Sequence, residues 1–435
     1  MKTDFITEHY PQYIKYLREL VSLPSVFTNP NDVEKAILFC KKTFEENLDN
    51  YSIYFDDQHN LIAAPKDIDR EKDIIYLSAH VDTVNADPKE WDAPFHPWNV
   101  YEDEHEMVAR GVNDCKAGVA YQLFISFLNR EKFIRLRNVI FTITFKEEGV
   151  GKKTSTEIAK QLGNALPLSK QQTYLIVLEN NVSVAPIPTL CIYAAERGNF
   201  VIKITDSIVS LQQYLKRLTH WNPVCIYPET NIEHGPWQVQ TQSGGHVCSV
   251  SREENLLTKI ILEASEDAII QAGDEQNFAV VPTEISVAQS KHHPKHSLVV
   301  SNRSFDSLED VLQQLQDIEY VPLKDFSISQ GLNVEEVFKQ DKISTILENC
   351  NDHLDLKLEY TYNVGASDAT VIYSSLDPTV RQQILPIVMG PGSRSQRKKS
   401  PERLTHGKNE TFDKESGRRT ITFITKVLGE LDCIK

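Results

Sequence analysis

No stretch of about 18 consecutive apolar residues occurs anywhere in the 435-residue chain, so a membrane-spanning helix is not expected. The segment Met1 to Glu8 lacks the apolar core of a secretory signal. Positive charge is in short supply. Lys and Arg number 46 against 61 Asp and Glu, a formal net charge of −15, whereas a phosphate backbone needs a basic surface. That argues against nucleic acid as the main partner. The seven cysteines are odd in number, scattered and free of any Cys-x-x-Cys spacing. That disfavours both a disulfide framework and a cysteine-ligated zinc site, and it fits reduced thiols in the cytoplasm. Repeats and low-complexity tracts are missing as well.

What is present is an ordinary globular composition, 40% hydrophobic and 25% charged, on a chain too long for one comfortable core. Two domains are expected. Tyr13, Leu17, Leu20 and Val21 share one helical face that Pro24-Ser25 ends, and Val33, Ile37, Cys40 and Phe44 repeat the pattern. The run from Ile74 reads as a buried parallel strand that ends in His80, with Asp82 two residues on. Trp91 to Tyr101 is rich in Pro, Trp and Asp and reads as an irregular loop. Ala109 to Gly118 leads into an amphipathic helix that reaches about Leu128. Asn138 to Phe145 is β-branched and aromatic and ends in Glu147-Glu148; Tyr174 to Leu178 ends in Glu179.

Strands alternating with helices predict an α/β fold, a mostly parallel sheet flanked by helices. In such sheets ligands collect at the carboxyl ends of the strands. His80, Glu147, Glu148 and Glu179 all stand at such ends, and Asp114 sits just before a helix. Each acid taken singly reads as a solvated surface group. Their shared placement points to a metal site.

After Glu196-Arg197-Gly198 the pattern changes. Strands at 200–204, 278–288, 297–302 and 321–328, with helices at 255–265 and 307–317, suggest a β-α-β-β-α-β unit. This predicts an α+β, ferredoxin-like lid domain over 198–332, inserted into a catalytic domain made of 1–197 and 333–435. Residues 206–243, with several prolines and two of the four tryptophans, fit no regular slot and read as an atypical insertion. Beyond 333 come a helix, a strand near 356–362, the turn Gly365 to Thr370 and a strand from Ile384. Gly390-Pro391-Gly392, a long loop bearing His406 and Glu410, and a closing helix at 413–431 complete the chain.

His80-x-Asp82, Arg110-Gly111-x-x-Asp114-x-Lys116-x-Gly118, Glu147-Glu148-Gly149, Glu179 and Gly390-Pro391-Gly392…His406-x-x-x-Glu410 follow one another in this order. The set resembles the co-catalytic zinc family of glutamate carboxypeptidase, aminoacylase, acetylornithine deacetylase and succinyl-diaminopimelate desuccinylase. The resemblance runs from Pro24-Ser25 to the last helix. It implies two zinc ions per subunit, with Co2+ or Mn2+ as possible replacements. His80 and Glu179 would hold one ion, Glu148 and His406 the other, and Asp114 both. It further makes Asp82 the residue that orients His80, and Glu147 the general base towards a metal-activated water. The Asp114-Cys115 bond matches the family's cis non-proline position. Cys115 reads as a packing thiol rather than a nucleophile.

Ser243 to Cys248, followed by Asn255, is similar to the family's lid motif, in which His246 would stabilise an oxyanion in a partner subunit. Arg303 stands where a guanidinium could clamp a substrate carboxylate, with pairing to Asp306 as the alternative. Gly365 and Ser367 resemble a substrate-contacting loop. The basic run from Arg394 to Arg403 would steer anionic substrates, or is simply solvated.

These readings converge on a cytoplasmic, metal-dependent amidohydrolase, homodimeric through the lid domain. It would act on an N-acyl amino acid or the C-terminal residue of a short peptide. A dipeptidase or aminopeptidase on the same scaffold is the alternative, and a metal-binding, non-hydrolytic small-molecule binder is the competitor from another class.

Overall fold

In the computed structural model, the described residues are 4–148, 153–179, 188–196, 200–206, 221–225, 237–238, 284–285, 287–288, 295–302, 313, 320–322, 331–352, 354–363, 366–391 and 406–435. They form two compact units. One contains Met1–Ala195, Asn333–Asn363 and Ser367–Lys435; the other contains Glu196–Leu332 and Val364–Ala366.

The first unit opens with helices α1 (Asp4–Val21) and α2 (Pro30–Asn47), whose buried residues include the apolar sets read from the sequence. Strands β1 (Tyr51–Phe55), β2 (Leu61–Pro65) and β3 (Ile74–His80) follow, and every residue of β3 is buried. Then come β4 (Tyr101–Glu102), β5 (Glu106–Val108), helix α3 (Lys116–Arg130), β6 (Val139–Thr144), helix α4 (Lys153–Asn164), β7 (Thr173–Val177) and β8 (Thr189–Glu196). Helix α3 is buried without interruption from Lys116 to Ser126, because it packs against α1, α2 and β3 together.

Strands β9 (Phe200–Asp206), β10 (Trp221–Cys225), β11 (Trp237–Gln238), β12 (Glu284–Ile285), β13 (Val287–Ala288), β14 (Lys295–Asn302) and β15 (Tyr320–Pro322) belong to the second unit. Five of them form an antiparallel sheet of order β10-β14-β9-β15, with β13 on β14. The stretch 206–243 therefore supplies β10, where irregular structure was expected. Pro223 hid that strand; it is tolerated because β10 ends the sheet and its register shifts at Pro223/Cys225. The helix expected at 255–265 lies outside the described residues.

The chain then adds β16 (Leu332–Asn333), helices α5 (Glu335–Gln340) and α6 (Lys342–Cys350), β17 (Lys357–Asn363), helices α7 (Asp368–Ser375) and α8 (Pro378–Arg381), β18 (Ile384–Val388), β19 (Thr411–Asp413) and helix α9 (Lys414–Glu430). The large sheet has the order β1-β2-β6-β3-β7-β18-β8-β16, and β17 also pairs with β8. Its centre is parallel: β6 with β3, β3 with β7, β7 with β18. Its flanks are antiparallel, so the sheet is mixed, and the parallel expectation holds for the centre alone. On one flank the β1-β2 hairpin is closed by Asp56, whose Oδ1 accepts from the amides of Gln58 and Asn60. On the other, β8 is buried throughout.

The parallel centre carries the carboxyl ends of β3, β6 and β7 to one edge. A separate three-stranded sheet, β19-β5-β4, joins chain segments some 300 residues apart. No helix among the described residues is long and apolar enough to cross a membrane.

Candidate metal centre

Three strand ends and one helix start converge. His80, the last residue of β3, is opposite Thr144 of β6. The β3–β7 register pairs Ser78 with Val177, and two residues further it sets His80 beside Glu179. Leu178 continues the ladder, its N–H donating to Ser78 O at 2.7 Å. Asp114 precedes α3, and the Asp114-Cys115 peptide bond is cis, as the resemblance implies.

The side chains meet around Asp114. Its Oδ1 lies 2.8 Å from His80 Nε2, and its Oδ2 lies 3.1 Å from His406 Nε2. His406 Nε2 is also 2.9 Å from Glu148 Oε1. One ligand atom each from His80, Asp114 and Glu148 falls within 4.8 Å of the other two, an arrangement that could hold a metal ion. Glu147 and Glu179 are buried at neighbouring strand ends.

The donor set suits a divalent cation. His80 Nδ1 is 3.0 Å from the Asp82 carbonyl, which can only accept, so a neutral ring keeps its lone pair on Nε2, facing Asp114. A lone pair directed at a carboxylate oxygen needs a proton or a cation beside it. Imidazole and carboxylate are ligands that zinc accepts.

The ionisation balance carries the same message. Burial alone would lower the pKa of His406, but Glu148 and Asp114 raise it to about 11. Burial opposes protonation of His80 too, yet Cys115, Asp114 and Asp82 hold its pKa well above the usual value. Asp114 resists burial and stays well below the carboxylate range through hydrogen bonds to His406 and His80. A cation must therefore displace protons from these rings. Metal affinity is expected to rise with pH, by about tenfold per unit for each proton released. Competition with a chelator between about pH 6 and 8 measures it, and a flat profile would contradict the proton load.

Asp82 has a task that the sequence did not disclose. It is fully buried, and its two oxygens accept from the N–H groups of Glu147 at 2.9 Å and Glu148 at 3.0 Å. One carboxylate thus holds the turn that carries both glutamates, while Oδ1 also lies 3.3 Å from His80 Nδ1. Ser25 braces the same strand from behind, its hydroxyl donating to Val81 O at 2.7 Å. Asp368, at the start of α7, accepts from Thr144 Oγ1 at 2.6 Å and from Ser155, tying β6 to α4.

The motif residues around Asp114 explain themselves by packing. The Lys116 ammonium donates to the carbonyls of Leu20 and Leu23, closing the end of α1, and burial lowers its pKa to about 7. Burial raises the Cys115 thiol, which donates to Leu178 O at 3.1 Å; it is a packing group. Gly118 and Gly390 press on the Leu178–Glu179 backbone. A Cβ would stand 2.3 Å from Leu178 O at Gly118, and 2.7 Å from the Glu179 carbonyl carbon at Gly390. Gly118→Ala is expected to displace Glu179 and cost about 1–3 kcal/mol of stability, read as a lower Tm together with weaker metal binding.

His246, Asn255, Arg303, Gly365 and the basic run 394–403 lie outside the described residues. Ser367 is described: it is buried and caps α7, its hydroxyl accepting from the Ala369 N–H at 3.1 Å.

Known proteins share the fold. No curated protein sequence matches the chain significantly. Among solved structures, the dipeptidase Dug1p of Saccharomyces cerevisiae is similar at 12% identity and a TM-score of 0.63, over 99% of this chain and 97% of that one. Human carnosine dipeptidase 1 is similar at 12% identity and a TM-score of 0.59, over 99% of each chain. The M20 family metallo-carboxypeptidase Sso-CP2 of Sulfolobus solfataricus is similar at 13% identity and a TM-score of 0.59, over 96% and 98%. At these identities the likeness establishes the fold. The sequence signature of peptidase family M20/M25/M40 matches residues 76–430, a span that holds every residue of the cluster. The chain belongs to that family, whose members are metal-dependent hydrolases of peptide and related amide bonds.

Proposed function

We propose that this protein hydrolyses the amide bond of an N-acyl amino acid or of the C-terminal residue of a short peptide. The observation that carries the reading is Asp114, with one oxygen on His80 and the other on His406, and Glu148 against the same histidine. His80 and Glu179 would hold one zinc ion and Glu148 and His406 the other, with Asp114 shared between them; Co2+ or Mn2+ satisfies the same donors. When bound, such a pair of cations polarises the scissile carbonyl and acidifies water.

The chain's own residues do the rest. Glu147 takes a proton from the attacking water and delivers it to the leaving nitrogen. Asp82 holds the Glu147–Glu148 turn by its amides, so the base keeps its place through both transfers. His246 is assigned to the developing oxyanion, and Arg303, Asn255, Gly365 and Ser367 to the substrate, Arg303 on its carboxylate. We assign residues 198–332, which make up most of the second unit, the role of lid and homodimer contact, and the protein to the cytoplasm. Among the described residues the cysteines Cys40, Cys115, Cys191, Cys350 and Cys433 are free and buried, which accords with a reducing compartment.

The test is a hydrolysis panel of N-acetyl and N-succinyl amino acids and dipeptides, before chelation, after it, and after metal is returned. The expected result is turnover of acylated substrates that chelation abolishes and metal restores. A strict need for a free α-amine would move the reading to a dipeptidase or aminopeptidase. No turnover across the panel by metal-loaded protein would leave a binder.

A further inference from the structure

Two motif residues, Arg110 and Glu410, have no part in the chemistry above. Both are buried, and they form an ion pair, Arg110 Nη1 to Glu410 Oε2, at 2.9 Å. Pairing of β19 with β5 places them together: Thr411 is opposite Val108, and the Ala109 N–H donates to Glu410 O at 3.1 Å.

Glu410 is a hub of four donors. Oε2 accepts from Arg110 and from the Gly111 N–H at 2.9 Å; Oε1 accepts from the N–H groups of Asn113 at 2.8 Å and Asp114 at 3.1 Å. The loop that presents Asp114 is thus wrapped around one carboxylate. Arg110 turns its other terminal nitrogen to the carbonyls of His406 at 3.2 Å and Gly407 at 3.0 Å. The guanidinium carbon lies 5.7 Å from the centroid of the Trp91 ring. His406 has φ +66°, a strained left-handed conformation that a non-glycine residue keeps only where its surroundings hold it. The guanidinium grips that residue's own carbonyl and the next one.

We infer that Arg110 and Glu410 are positioning residues that set two metal ligands from one buried pair. Glu410 fixes Asp114 through the loop amides, and Arg110 fixes His406 through its carbonyl. The inference rests on the reading that Asp114 and His406 hold the metals. A carboxylate is required because four donors converge on two oxygens. A glutamine offers one oxygen, and its NH2 would face another donor. Lysine at 110 keeps the charge and the pairing with Glu410 but loses the planar fork that reaches both carbonyls.

Zinc affinities of the full-length wild type, Glu410→Gln and Arg110→Lys, measured against a chromophoric chelator, test this. The wild type should bind two ions. Glu410→Gln should weaken both by about 10–100-fold, because Asp114 is shared between them. Arg110→Lys should weaken one ion by a similar factor and leave the other within about threefold. General damage to the fold would lower both alike in Arg110→Lys as well, in place of that split. A folded Arg110→Lys that binds both ions as the wild type does, or loses both equally, overturns the inference, as does a folded Glu410→Gln with unchanged affinities. If Glu410→Gln fails to fold, Arg110→Lys decides alone. A wild type that binds no zinc overturns the metal reading itself and the inference with it.

Discussion

Glu147→Gln is expected to lower kcat by about 10⁴-fold, the upper end of the range for loss of a general base. Such a drop corresponds to about 5 kcal/mol of transition-state stabilisation. The substitution keeps the size and hydrogen-bonding reach of the side chain and removes only its ability to take a proton. Its backbone N–H, which donates to Asp82, is untouched, so the turn holding Glu148 should persist. Metal content should therefore stay at the wild-type level while turnover collapses. Direct metal analysis alongside steady-state kinetics checks both halves. Loss of metal together with activity would make Glu147 a ligand rather than a base.

Asp114→Asn should instead lose metal along with turnover. The amide keeps one oxygen and places an NH2 where the second stood, so it can face one imidazole-bound cation but repels the other. The full negative charge that both histidines approach also disappears, together with its grip on His80 and His406. Metal content is expected to fall from two ions per chain to one at most, with kcat/KM at background and not recovered by added metal. The pH dependence of metal binding should flatten as well, because Asp114 is among the groups that raise both histidines. An Asn variant with two ions and ordinary turnover would show that Asp114 is not shared. Glu147→Gln and Asp114→Asn thus separate proton transfer from metal retention.

The central strands and the candidate ligands at their ends were legible because both signals are local. An apolar run such as Ile74–Ala79 can only be buried, and a histidine where it stops marks the edge of a sheet. The same held for Glu147-Glu148 after β6 and Glu179 after β7. What escaped the sequence depends on third parties. Strands β5 and β19 have three residues each, too few to show alternation, and nothing near Glu106 announces a partner near Thr411. The role of Glu410 was hidden for that reason. Asp82 was read as a neighbour of His80, since spacing shows that much. Its bonds to the Glu147 and Glu148 amides require knowing that β6 runs parallel beside β3. Gly118 and Gly390 were visible as motif letters, but the contact that demands them is with Leu178 and Glu179, on a strand belonging to neither motif. Strand β10 was masked by its proline.

The most direct measurement is anomalous diffraction from crystals of the zinc-loaded protein. The account predicts two peaks about 3.5–4 Å apart on either side of Asp114. One should lie about 2.0–2.2 Å from His80 and Glu179, and the other at the same distance from Glu148 and His406. A single ion, or a pair that leaves Asp114 uncoordinated, would contradict it.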